Sequence, residues 1–251
     1  MKILALDSSG LTASVAIVED GQLRAEYTVN YKKTHSQTLL PMLDEITDMT
    51  ELRLQEIEAV AIASGPGSFT GLRIGAATAK GLCLALNVPV IPVPTLEGLA
   101  YNLYGCHERI CPIMDARRSQ VYNGIYTFSA EQTERSEAPE EHLQVVQTQR
   151  AIAVDALIQE LNDAEKPVVF LGDGVPVYKE KLEAGLTVPH TYAPEHLNRQ
   201  RAGAVGALGL RYYKEEKFES AADFKPDYLR VSQAERERAE RLAAEAKEKH
   251  E

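Results

Sequence analysis

The sequence predicts an α/β protein made of two duplicated β-β-β-α-β-α lobes with mixed sheets. Three observations carry that reading. The apolar run Lys2-Ile3-Leu4-Ala5-Leu6-Asp7 ends in a carboxylate, and Ile110-Cys111-Pro112-Ile113-Met114-Asp115 repeats the pattern in the second half. Each run is followed by further strand-like segments and then by segments with helical spacing. Hairpin strands placed before crossover helices give antiparallel and parallel neighbours within one sheet.

In the first half, Thr12 to Val18 reads as a second strand, Glu19-Asp20-Gly21 as a hairpin turn with glycine where positive φ is cheapest, and Gln22 to Asn30 as a third strand. Leu39, Met42, Leu43 and Ile46 fall at helical spacing, so residues 36–48 form an amphipathic helix with Pro41 near its first turn. A strand at 58–63, a glycine-rich loop, a helix at 71–86 and a strand at 88–93 follow. In the second half, Gln120 to Phe128 and His142 to Gln147 read as strands. A helix at 152–162 is marked by Val154, Leu157, Ile158 and Leu161, and the strand Pro167 to Leu171 stops at Gly172-Asp173-Gly174. The division is therefore 1–96 and 97–196 for the lobes, 197–231 for a closing helix (197–213) and the Lys225-Pro226-Asp227-Tyr228-Leu229-Arg230 segment, and 232–251 for a charged helical tail. In that tail Ser232-Gln233-Ala234-Glu235 fits a capping box, Glu237 precedes Arg241 and Glu245 precedes Lys249 by one turn, and the apolar stripe is mostly alanine with Leu242. This describes either a solvated helix or a docking arm.

The chain of 251 residues carries a formal net charge of −10, which argues against its gripping a phosphate backbone alone. No apolar run approaches the length of a membrane span, and Met1-Lys2-Ile3-Leu4 opens a strand rather than a signal peptide, so cytoplasmic residence is expected. Cys83, Cys106 and Cys111 lack C-x-x-C spacing and read as reduced thiols with no metal.

The most specific stretch is Ser64-Gly65-Pro66-Gly67-Ser68-Phe69-Thr70-Gly71-Leu72-Arg73-Ile74-Gly75. No lysine follows its glycines as a P-loop requires, and its third glycine comes one residue too late for a dinucleotide fingerprint. Gly71, Gly75 and Ala79 recur every four residues and line one side of the following helix. Glycine inside a helix costs about 1 kcal/mol against alanine, so Gly71, Gly75 and Gly81 need a reason. Two reasons fit the residues: the helix is wedged against its own sheet, or it offers a flat face to a partner helix.

A duplicated lobe of this order, with an aspartate ending each first strand, resembles the actin/hexokinase/Hsp70-like ATPase superfamily of ribonuclease H-like type. Within it, Asp7-Ser8-Ser9, Thr34-His35-Ser36 with Leu39-Leu40-Pro41, the glycine segment, Asp115-Ala116-Arg117-Arg118 and Lys225-Pro226-Asp227-Tyr228-Leu229-Arg230 together resemble the TsaB (YeaZ) family. That family is needed to make threonylcarbamoyladenosine in tRNA, and the resemblance covers residues 1–230.

The resemblance implies a non-catalytic scaffold that binds and activates a paralogous TsaD-type transferase. It implies a TsaE-type ATPase reached through the complex, tRNA held mainly by those partners, and no membrane. It implies no cofactor of the chain's own, with ATP or ADP belonging to the assembled complex. The transferase carries an H-x-x-x-H metal site; here His35 is followed four positions on by Leu39, so neither that metal nor a protease activity is implied, and His35 is expected to cap or pack. The implied interface, with the transferase or with a second copy of this chain, comprises Leu39, Met42, Leu43 and Ile46 on one helix and Gly71, Leu72, Gly75 and Ala79 on the other. A vestigial nucleotide cleft between the lobes is expected at Asp7, Ser8, Ser9, Asp115, Arg117, Arg118, Gly172 and Asp173. The rival reading is a small-molecule kinase or ATPase that uses Asp7 and Asp115 in that cleft.

Overall fold

The computed structural model describes residues 1–131 and 140–230. The first half contains β1 (Lys2–Asp7), β2 (Ala13–Glu19), β3 (Gln22–Val29), α1 (His35–Met49), β4 (Ala59–Gly65), α2 (Phe69–Leu86), β5 (Val90–Pro94) and α3 (Thr95–Ala100). The second contains β6 (Arg109–Asp115), β7 (Gln120–Glu131), β8 (Glu140–Ala153), α4 (Val154–Asp163), β9 (Val168–Leu171), α5 (Val175–Gly185), β10 (His190–Tyr192) and α6 (Ala202–Lys214).

The strands form two five-stranded sheets in the orders β3-β2-β1-β4-β5 and β10-β9-β6-β7-β8. Read from its other end, the second order is that of the first. In each sheet the first strand runs antiparallel to the second and parallel to the fourth, so the duplication is one of pairing as well as of order. All seven residues of β4 are buried, as are all of β1 after Lys2, because helices cover both faces of these central strands.

The two faces of each sheet are filled from different halves of the chain. Leu4, Leu6, Val60 and Ile62 pack against Leu39, Met42, Ile46 and Ala79 of α1 and α2. The opposite face, with Ile3, Ala5, Ala61 and Ile91, receives Ala202, Val205 and Leu208 of α6. In the second sheet, Cys111, Ile113 and Phe170 pack against Leu157, Leu161 and Leu182 of α4 and α5. Its other face takes Leu96, Leu99 and Ala100 of α3, which reach Ile110, Met114, Tyr126 and Phe128. The last helix of each repeat thus covers the sheet of the other repeat.

Several elements differ from their sequence reading. The helix expected at 197–213 begins at Ala202, because the preceding carbonyls are already bonded elsewhere. Asn102 Nδ2 donates to the carbonyls of Leu197 and Arg199, and Gly172 N donates to that of Asn198. Strand β8, expected over 142–147, pairs with β7 from Glu140 to Ala153; its glutamines and Arg150 concealed the length. α2 starts two residues early, at Phe69, with the Ser68 hydroxyl accepting from Gly71 N at 3.3 Å. Pro41 stands in the second turn of α1 rather than the first, on its exposed side. The short α3 and β10 and the weakly patterned α5, with only Leu182 buried, were not read from the sequence. The tail readings at 232–251 lie outside the described residues. Among the described residues, no helix is long and apolar enough to cross a membrane.

Exchange of α3 and α6 couples the two cores. Leu99→Ala, at a fully enclosed position of α3, is expected to destabilise by about 2–5 kcal/mol. Urea unfolding followed by circular dichroism and by tyrosine fluorescence checks this. A single coincident transition is expected, and two separated transitions would show that the lobes unfold independently.

Candidate functional site

The turns after β1 and β6 face each other across a cleft of about 700 Å³. Its walls also come from the loop before α1, the start of α2, Asp173 and Arg230. On the first-lobe side the walls are tied together by backbone. Ser68 N donates to Ser9 O at 2.6 Å, and Ser8 Oγ donates to Gly71 O at 2.9 Å. His35, the first residue of α1, bridges to Gly10 O through Nε2 at 2.8 Å, which fits the packing role expected of it.

The two strand-end aspartates have different surroundings. Asp7 is 2% exposed and does not border the cleft. Its Oδ1 accepts from Ser9 N and Ser9 Oγ at 2.8 and 2.7 Å, yet burial pushes its carboxyl up to about 6. Asp115 does border the cleft: its Oδ1 accepts from Arg117 N at 2.8 Å and from the Tyr178 hydroxyl at 2.9 Å, while Oδ2 pairs with Arg117 Nη1 at 3.1 Å. Burial raises Tyr178 to about 12, and its bond to Asp115 adds to the shift. Asp173 accepts from Asp115 N at 3.2 Å, and burial raises its carboxyl as well. Gly172 holds φ at 107°, where an added Cβ would lie 2.2 Å from Ile113 O, so it shapes the turn from behind.

Of the residues expected in the cleft, Ser9, Asp115, Arg117 and Asp173 line it; Asp7, Ser8 and Gly172 sit behind it, and Arg118 is exposed beside it without lining it. The expectation that both strand-end carboxylates meet in the cleft therefore fails for Asp7, which turns into its own loop. Sequence reading missed Tyr31, Lys32, Lys33 and Arg230, which also line the cleft. The two adjacent lysines after β3 were the available signal.

The expected partner face is also corrected. Leu39, Met42, Leu43, Ile46, Gly71, Leu72, Gly75 and Ala79 are all buried inside this chain. A Cβ at Gly71 would lie 2.1 Å from Ser8 O, and one at Gly75 would lie 2.3 Å from Ser8 Oγ and 3.3 Å from Ile62 Cδ1. These glycines admit the β1–β2 turn against α2, so the internal reason holds for both. Gly81 is different: it is exposed, and among the described residues a Cβ there would meet nothing within 4 Å. With Ala77 and Ala85 it forms an outward stripe of small residues, flanked by Leu84 at 69% exposure and by Leu40 of α1 at 59%. A shallow groove beside it is lined by Leu40, Pro41, Asp44, Thr47, Leu54 and Leu82.

Two interlocked lobes of this topology, with a cleft between the turns after their first strands, define an actin-like α/β protein. The structure of YeaZ from Pseudomonas aeruginosa superposes with a TM-score of 0.75 at 27% identity, covering 91% of this chain and 99% of that one. TsaB of Bacillus subtilis (strain 168), a tRNA threonylcarbamoyladenosine biosynthesis protein, is 33% identical over 235 residues, 94% of this chain and 96% of the relative. TsaB of Haemophilus influenzae is 31% identical over 234 residues, 92% and 94% of the two chains. The family model of TsaD, tRNA N6-adenosine threonylcarbamoyltransferase, matches residues 22–238. A transferase of that name from Kosmotoga olearia, however, matches over only 35% of its own length. The chain belongs to the TsaB (YeaZ) family, within the wider group that the TsaD model describes.

Two outcomes follow. Gly75→Leu is expected to lower stability by about 1–3 kcal/mol through overpacking against Ser8 and Ile62, read from the denaturation midpoint. Unchanged stability would return this glycine to a surface role. For Asp7, the folded carboxyl at about 6 binds its proton more tightly than the ordinary value of 3.8. Its contribution to stability is therefore full below the lower value and lost as pH rises through the higher one. Asp7→Asn should be more stable than the parent near pH 7.5, by up to about 3 kcal/mol, with the gap closing towards pH 3.5. A pH-independent difference in melting temperature would contradict this.

Proposed function

We propose that this chain is a non-catalytic subunit of tRNA threonylcarbamoyladenosine synthesis that binds a TsaD-type transferase and holds it in its active shape. The observation that carries the reading is the outward face of α1 and α2. Ala77, Gly81 and Ala85 leave a flat strip where another helix backbone can approach, and Leu40 and Leu84 flank it as exposed apolar anchors. A helical glycine that no neighbour among the described residues requires is explained by an approach from outside them. The same face serves a second copy of this chain when the transferase is absent. A TsaE-type ATPase joins through the assembled complex, where ATP or ADP is also bound. The kinase alternative asks for two carboxylates in the cleft, whereas Asp7 is turned towards Ser9 and away from it.

The test is a reconstituted tRNA modification assay with matching TsaC-, TsaD- and TsaE-type proteins. Product should require this chain, Asp115→Ala should support it, and Ala77→Arg with Leu84→Asp should abolish both product and co-elution with the transferase. These outward substitutions are expected to change stability by less than about 0.5 kcal/mol, as surface replacements usually do. Equal product without the chain would overturn the reading.

A further inference from the structure

We propose that the mouth of the cleft is an RNA-contacting surface that takes the sugar-phosphate backbone of an unpaired RNA segment. This rests on the assignment to tRNA modification made above and assigns the chain its own share of the RNA. Charge is distributed against the average here. Lys32, Lys33, Arg117 and Arg230 line the cleft against two carboxylates, Asp115 and Asp173, in a chain whose formal net charge is −10. Both carboxylates are already engaged by hydrogen bonds, Asp115 by Arg117 and Tyr178 and Asp173 by Asp115 N. Among the described residues, neither lysine's side chain has an ion-pair or hydrogen-bond partner; the Lys33 backbone N donates to Tyr31 O at 2.7 Å. The Arg117 guanidinium is paired with Asp115 but is 88% exposed, so water screens that pair and leaves the cation available to a phosphate.

Geometry adds to charge. Arg117, Arg118 and Ser119 hold φ at 65°, 56° and 54°, three successive non-glycine residues in the left-handed region. That conformation is disfavoured for residues that carry a Cβ, and the turn so formed carries Arg117 to the edge of the cleft. On the facing wall, Tyr31 precedes the two lysines and is 70% exposed, an aromatic face open to a base. A cationic groove with an exposed ring is the arrangement that binds single strands by phosphate contact and stacking. A duplex keeps its bases paired and stacked, whereas an unpaired strand can offer a base to the exposed Tyr31 ring while its phosphates meet the lysines. The acidic remainder of the surface repels a polyanion, so the cleft mouth is the side from which RNA is steered in.

A free nucleotide offers the same phosphates, and the experiment separates the two sources. Fluorescence anisotropy of a labelled, unstructured RNA of about 12 nucleotides is followed with the full chain at low salt. Lys32→Glu with Lys33→Glu is expected to weaken binding roughly tenfold or more and to reduce the salt slope by about 0.7 for each phosphate no longer neutralised. Lys166→Glu with Lys214→Glu makes the same charge change away from the cleft and should alter binding less than about twofold, while Tyr31→Ala should cost several-fold. No binding by the parent chain, or equal weakening by both lysine pairs, overturns the proposal. Displacement of the RNA by magnesium-ADP overturns it too, by assigning the cleft to a free nucleotide. Co-elution of the Lys32→Glu, Lys33→Glu variant with the transferase keeps the two readings apart. Retained assembly together with abolished RNA binding supports this proposal, whereas a parent chain that binds RNA through these lysines but never assembles brings down the assembly reading alone.

Discussion

The front of the first lobe depends on backbone meeting backbone where side chains would not fit. An added Cβ would lie 2.1 Å from Asp227 O at Gly65, 2.3 Å from Ser9 O at Gly67 and 2.1 Å from Ser8 O at Gly71. Three separate segments therefore share one small volume: the turn after β1, the loop into α2 and the Lys225–Arg230 stretch. Asp227 N donates to Ser64 O at 2.7 Å, and Tyr228 stacks on Phe69 with ring centroids 4.2 Å apart. Arg230 then reaches the second lobe and donates to Ala116 O. The cleft wall, the seat of α2 and the link between the lobes thus all rest on one glycine-lined contact.

That contact explains why a helix can be rich in small residues for two unrelated reasons. The inner side of α2 is small because the β1–β2 turn presses on it; the outer side is small at Ala77, Gly81 and Ala85, which are exposed among the described residues. The exchange of α3 and α6 adds a second kind of coupling. Each lobe's core is completed by a helix from the other repeat, which ties the two sheets together. Such coupling suits the role proposed above, that of holding a partner's shape. Enzymes that close over a substrate instead need a hinge between their lobes.

Charge is organised on the same plan. The chain is acidic overall, but the turns that border the cleft present lysine and arginine, and their carboxylates are bonded inward. The two surfaces, one apolar and helical, one cationic and grooved, are built from different residues and make different chemical demands.

The sequence by itself determined the β-β-β-α-β order that opens both halves, because buried central strands read as unbroken apolar runs and α1 and α4 as periodic ones. It also determined the family, through the spacing of glycines 65, 67, 71 and 75 and the Lys225–Arg230 segment. Period and composition report which residues avoid water, but not what covers them. Only the tertiary structure decided that Gly71, Gly75 and Leu39 face the chain's own core and Gly81 faces out, since a small residue reads alike on either side of a helix. It alone separated Asp7 from Asp115, whose sequence settings are equivalent, because burial and the orientation of a carboxylate depend on residues remote in the chain. The exchange of α3 and α6 was equally invisible, since a helix's apolar stripe does not say which of two similar sheets it will cover.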